Sequence, residues 1–201
     1  MIFSTQVNKN ETCFIRFFNG AAGAGSAEIF VNDELLVENL GHGEFSPFHR
    51  ARPGAYKIEV HISPQEVISD LMSFMEDMSY TIALAGNAEH MSFAVIPLDL
   101  RKDIKLPNIH FANVIPFDTV VDIDINGRPA AEGLMYKEVS EDIRIDPGNH
   151  SIAVYDSYNQ KIIEDGLRIA GGKSYLGMIA GTIEDPENLP GLYVAEDMPL
   201  S

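Results

Sequence analysis

Few side chains in this chain stand at spacings that do chemistry, and each has a plainer structural use. Asp122-x-Asp124-x-Asn126-Gly127 opens like the oxygen-rich loop that holds calcium in an EF-hand. That loop needs a bidentate carboxylate at its twelfth position, which here is Gly133, with Glu132 one place early. It also needs flanking helices, whereas Val121, Ile123 and Ile125 alternate with the aspartates as in a half-buried strand. The two carboxylates read as the wet face of that strand.

The histidines at 42, 49, 61, 90, 110 and 150 form neither H-x-x-x-H nor H-E-x-x-H. His49 is expected to point inward. His110 and His150 fall in strands and are expected at the surface. Gly25-Ser26 lacks the strand–turn–helix context of a nucleophile elbow, and G-x-S-x-G is absent. Glycines 20, 23 and 25 do not have the G-x-G-x-x-G spacing of a phosphate cradle. The lone Cys13 shares a phase with Ile15 and Phe17, so it reads as a small buried apolar residue. It excludes an internal disulfide and fits a reducing compartment. No catalytic residue, no cofactor site and no metal site is expected.

The elements that carry these residues are written twice. Laying residues 15–62 on 109–156, a constant shift of 94, needs no gap. It sets Asn19 on Asn113, Ile29 on Ile123, Asn32 on Asn126, Glu44 on Glu138, Ser46 on Ser140 and Pro53-Gly54 on Pro147-Gly148. One residue of slip then brings Tyr80 onto Tyr175. Identical turn and core positions in step over such a length mark an internal duplication. Alternation predicts strands over 12–19, 27–31, 34–40, 45–52, 56–62, 80–85 and 92–98. The stretch Ser63–Met78 is ambiguous: Ser63-Pro-Gln-Glu66 has the form of a helix cap, with apolar residues following at helical spacing. Its counterpart in the second repeat contains Gly166 and Gly171-Gly172, so strand is favoured for 68–75 with a helical turn at 64–67. About seven short strands per repeat, with regular turn signals, predict two tandem immunoglobulin-like β-sandwich modules. The expected modules are residues 1–100 and 106–201, joined by a linker at 101–105.

Charge excludes one class of partner. The chain of 201 residues has 14 basic and 30 acidic side chains, a net charge of −16. Each half contributes equally, 5 basic against 13 acidic and 9 against 17, so there is no basic face for a phosphate backbone. No apolar run approaches the roughly 18 residues of a membrane span. The first residues lack the pattern of a signal peptide, so the cytosol is the expected location, with cell-surface association the alternative.

Phe14-Ile-Arg-Phe-Phe-Asn19, Val121-Asp-Ile-Asp-Ile-Asn-Gly127, Tyr136-Lys-Glu-Val-Ser140, Pro147-Gly148 and Gly172-Lys-Ser-Tyr175 resemble successive signatures of domain-of-unknown-function family 4397. The resemblance covers nearly the whole chain. It implies two β-sandwich modules in tandem and no catalytic residues. The first repeat departs from the pattern at Ala21–Ser26, in place of a Ser-Pro-x-Ala-Pro-like loop. It departs again at Glu76-Asp-Met78, in place of a glycine- or asparagine-bearing turn.

The expected function is therefore non-catalytic, a binding or assembly module for a protein partner or for self-association. The alternative is a hydrolase or metal-dependent enzyme with its site between the repeats. Carbohydrate is a further option, disfavoured because the chain has no tryptophan for stacking. Before each Pro-Gly turn the repeats differ on one strand face, Phe48, Arg50 and Arg52 against Asp142, Arg144 and Asp146. An aromatic beside two arginines suits an interface centre, so Phe48, Arg50 and Arg52 are the candidate partner-binding residues.

Overall fold

In a computed structural model of the chain, residues 12–63, 66–87, 90–101, 106–116 and 119–197 are described. Among them there is no helix, and therefore none long and apolar enough to cross a membrane. The first half forms β1 (Cys13–Asn19), β2 (Ala27–Val31), β3 (Glu34–Leu40), β4 (His49–Ala51), β5 (Gly54–Ser63), β6 (Glu66–Phe74), β7 (Met78–Gly86) and β8 (Met91–Asp99). The second forms β9 (Asn108–Asn113), β10 (Val121–Ile125), β11 (Arg128–Leu134), β12 (Ile143–Arg144), β13 (Gly148–Asp156), β14 (Lys161–Ile169), β15 (Ser174–Ala180) and β16 (Gly191–Glu196).

Each half is a sandwich of two four-stranded sheets. The first pairs β4-β1-β7-β8 with β3-β2-β5-β6, and the second pairs β12-β9-β15-β16 with β11-β10-β13-β14. Each module thus has eight strands rather than about seven, and its first strand runs parallel to its seventh. The extra strand is the ambiguous stretch. Glu66–Phe74 is strand because it pairs along its whole length with β5, Lys57 opposite Leu71 and Val60 opposite Ile68. Tertiary pairing overrides the helical spacing there. Of the predicted helical turn, residues 64 and 65 lie outside the described residues, while 66 and 67 are strand. The strand predicted over 45–52 shrinks to His49–Ala51. Pro47 has no N–H for a ladder, and Ser46 Oγ is taken up accepting the Phe17 N–H at 2.9 Å.

Five pairs of polar residues shared by the repeats, Asn19/Asn113, Asn32/Asn126, Glu44/Glu138, Ser46/Ser140 and Tyr80/Tyr175, serve the backbone in the same way twice. Asn19 and Asn113, both fully buried, each donate through Nδ2 to two carbonyls, those of Gly25 and Leu40 in one case and of Thr119 and Leu134 in the other. Ser140 Oγ accepts the Phe111 N–H, as Ser46 does for Phe17. Glu44 and Glu138 close their turns on the N–H groups of Gly41 and Met135. Tyr80 and Tyr175 hydroxyls accept the N–H groups of Met75 and Ala170. The hairpins at Asn32-Asp33 and Asn126-Gly127 have positive φ at both central residues, as a tight turn matching the strand twist requires. Replacing Asn113 with alanine strands two buried carbonyls and is expected to cost about 2 kcal/mol or more, read as a loss in thermal stability.

Each sandwich has its own core. One is built on Phe17, Ile29, Ile58 and Ile82, the other on Phe111, Ile123, Ile152 and Ile179. Cys13 belongs to the first, and burial pushes its thiol up to about 11. It is expected to react with iodoacetamide only on unfolding. His49 pairs with Ile15, and its buried Nε2 and burial-lowered pKa agree with an inward position. A third apolar layer joins the modules: Phe18, Ala83, Ala85, Ala94 and Ile96 against Ala112, Val114, Leu176, Met178 and Ala180. The sheets therefore stack four deep, with β1 and β9 on the two central sheets. Small residues let these sheets approach. At Gly43, held at φ 77°, a Cβ would meet the Tyr193 ring of the other module at 2.1 Å.

Candidate functional site

The seam between the modules is where the repeats stop being copies. On β1 the outward phase reads Phe14, Arg16, Phe18, and on β9 it reads Asn108, His110, Ala112, so Arg16 and His110 are counterparts. Both are 3 % exposed, because this face of each central sheet is covered by the other module. The surface position expected for His110 is thus corrected. It is surface in an isolated sandwich and interior in the pair.

Arg16 sits in a complete cage. Its Nη2 donates to Asp197 Oδ1 at 2.7 Å, Nη1 to the Glu196 carbonyl at 2.7 Å and Nε to Thr81 Oγ1 at 2.8 Å. Its guanidinium carbon lies 4.7 Å from the centre of the Phe45 ring and 4.5 Å from that of Phe48. Burial pulls the guanidinium down to about 10, opposed by the Asp197 charge, so it stays cationic at neutral pH. Asp197 bridges the modules, its other oxygen lying 3.0 Å from His110 Nε2. On the far side of the ring, His110 Nδ1 lies 3.5 Å from Asp142 Oδ1.

The counterpart of that cage is open. Pro97, Leu98 and Asp99 of β8 on one side, and His110 with residues 139–142 on the other, line a cavity of about 350 Å³. The constant shift sets Val139 where Phe45 stands and Asp142 where Phe48 stands. Strand register sets Pro97 and Leu98 where Glu196 and Asp197 stand. Two phenyl rings and a long guanidinium become valine, aspartate and a shorter imidazole, and the space they would fill is the cavity.

Chemically the cavity is acidic, with Asp99, Glu141 and Asp142 on its walls. Asp99 is engaged at the rim by Arg101, at 2.8 Å. Ser140 lines it too, but its hydroxyl accepts from the Phe111 N–H and donates to the Glu141 carbonyl, both at 2.9 Å. That hydroxyl is committed to the backbone and not to His110. Among the described residues no three histidine, cysteine or acidic side chains form a group that could hold a metal. Asp122, from the calcium-like run, accepts the Gly133 N–H at 2.7 Å and so braces the hairpin.

The candidate partner-binding residues divide. Phe48 is half-buried against Arg16, while Arg50 and Arg52 are exposed on and just beyond edge strand β4. The Arg52 carbonyl accepts from Tyr56 and Cys13. Arg16, His110 and Asp197 stand in no spacing that does chemistry. Arg16 and His110 are marked by a polar residue in both repeats at one outward position of the first strand, whereas nothing local marks Asp197. A second exposed feature is on edge strand β6 and the residue that follows it, where Val67, Leu71 and Met75 are 49 %, 70 % and 63 % exposed.

No curated protein matches the chain. Among solved structures, the crystal structure of CBMbc (family CBM26) from Eubacterium rectale Amy13K in complex with maltoheptaose is similar at 9 % identity. That match covers 94 % of this chain and 98 % of that one, with a TM-score of 0.24. The family described as Domain of unknown function (DUF4397) matches twice, over residues 13–104 and 107–199. With both sandwiches matched, one after the other, the chain belongs to that family as a tandem pair of its modules.

Proposed function

We propose that the chain is a non-catalytic binding module that docks a protein partner through the rim of its inter-module seam. One observation carries this reading. Shared polar residues such as Asn113 and Ser140 are spent on their own backbone, whereas Arg16, His110, Asp142 and Asp197, which differ between the repeats, gather at the seam. Arg50 and Arg52 supply a cationic contact on one module, and Glu141 and Asp142 an anionic one on the other. Contacts between exposed charges of this kind weaken as salt rises.

The test uses the purified full chain as bait, with any captured protein then purified and its complex weighed by analytical ultracentrifugation. A defined stoichiometric complex is expected. It should weaken between about 0.05 and 0.5 M salt and in Arg50→Glu with Arg52→Glu, a pair that leaves Phe48 on Arg16. A complex indifferent to both would remove this rim from the account. The enzyme alternative makes the opposite claim: turnover of an ester, phosphate or glycoside substrate that His110→Asn abolishes would replace the binding reading.

A further inference from the structure

Edge strands β6 and β14 are counterparts, and they treat their outer edges differently. Equivalent rungs of the ladders to β5 and β13 set Val67 on Lys161, Ser69 on Glu164, Leu71 on Gly166 and Ser73 on Arg168. Matching bonds to the tyrosine hydroxyls set Met75 on Ala170. All of these residues are exposed. On β14 the charges of Lys161, Glu164 and Arg168, with a register shift at Val154, are devices that keep an edge from pairing with another chain. The row on β6 carries no charge, and its ladder runs from Gly54 to His61 without a shift. Among the described residues nothing pairs with the outer edge of β6. The Leu71 N–H, directed away from β5, is held by its own neighbour, Asp70 Oδ1, at 2.8 Å.

We propose that a second copy of this chain pairs with the β6 edge, antiparallel, about a two-fold axis at Leu71. The row itself selects a copy as the occupant. Val67, Ser69, Leu71, Ser73 and Met75 alternate apolar and serine, and the pattern is the same in either direction. About this axis Leu71 meets Leu71, Ser69 meets Ser73 and Val67 meets Met75, the self-complementarity that a two-fold contact requires. Charge selects the same place. Two chains of net charge −16 repel one another, and an uncharged strip is where they can approach. Lys57, opposite Leu71 on β5, is already held by Asp33 and Glu59. Main-chain bonds between the edges supply affinity, offset by the release of Leu71 from Asp70. A nine-residue edge buries less than about 1,200 Å² in total, so the dimer is weak and reversible. It closes on itself, because the charged β14 offers no second edge of this kind. The contact is separate from the seam and does not rest on docking there.

Sedimentation of the purified full chain from about 5 µM to 0.5 mM tests this. A monomer–dimer equilibrium that stops at the dimer is expected. It should tighten between about 0.05 and 0.5 M salt, because screening relieves the repulsion of like-charged copies. Leu71→Lys sets two ammonium groups together on the axis and is expected to weaken the dimer by about tenfold or more. Gly166→Lys, at the equivalent place on β14 with open space around it, is expected to change nothing. Leu71 is 70 % exposed, so its variants fold. Oxidative cross-linking reads the register, with Cys13 buried out of reach. Leu71→Cys is expected to form a disulfide with its own copy, about 5.5 Å away between Cα atoms. Val67→Cys, about 27 Å along the strand from its own copy, is not. A chain that stays monomeric over this range, or assembly that runs past the dimer, overturns the proposal. So does a dimer that salt loosens, one indifferent to Leu71→Lys, or cross-linking that does not favour Leu71→Cys over Val67→Cys.

Discussion

Replacing Ile123 by aspartate is expected to unfold the second sandwich. Ile123 is fully buried in the core of that module, beside Ile109, Ile152 and Val154. A carboxylate there loses its water and finds no charge partner, and the core loses a large apolar side chain as well. The combined cost is expected to exceed about 4 kcal/mol, a sizeable share of the stability of a domain. Asp122→Asn, one residue away on the wet face, keeps an oxygen for the Gly133 N–H and is expected to stay within about 0.5 kcal/mol of wild type. Thermal melts of the two variants decide the point. Equal effects would mean that the strand faces are reversed.

The second large effect belongs to the seam. Arg16→Ala leaves the Asp197 carboxylate buried, its side chain 3 % exposed, without its cation, and opens a gap between Phe45 and Phe48. Breaking a buried pair from one side costs about 3–5 kcal/mol. In a protein of this size that is a fall in melting temperature of about 10 °C. Because the pair bridges the modules, both should be destabilised together, so tryptic cleavage should speed up in each. Arg16→Met with Asp197→Leu removes both charges and keeps the volume, so it is expected to recover most of the loss. Were Arg16→Ala as mild as the exposed Arg50→Ala, the seam pair would carry no weight in the fold.

Much of the sandwich was legible because its signals are local. Asn126-Gly127, Pro53-Gly54 and the alternation of Val121–Ile125 are decided by a few dihedrals and one buried face. The stretch 66–74 was locally helical and became legible only through its copy, whose glycines cannot belong to a long helix. The seam was harder. The covering of the outer face of β1 and β7 is an event between residues as distant as Arg16 and Asp197, and alternation has no term for it. A signal was nevertheless present: β7 and β15 are buried along nearly their whole length, as runs apolar on both faces. A strand without a wet face lies between two layers. Applied to Tyr80–Ala85 and Tyr175–Ala180, that reasoning places a second layer over the central sheets and brings Arg16 and His110 inside.

The most direct measurement of the central claim is a solution NMR titration that reads the backbone amides of the full chain as the purified captured partner is added. The expected result is a saturable change at the amides of residues 49–52 and 141–142 on the rim of the seam. The Arg16 Nε signal, already enclosed, should stay in place. Amide changes confined to the side of β6 around Leu71 would contradict docking at the seam.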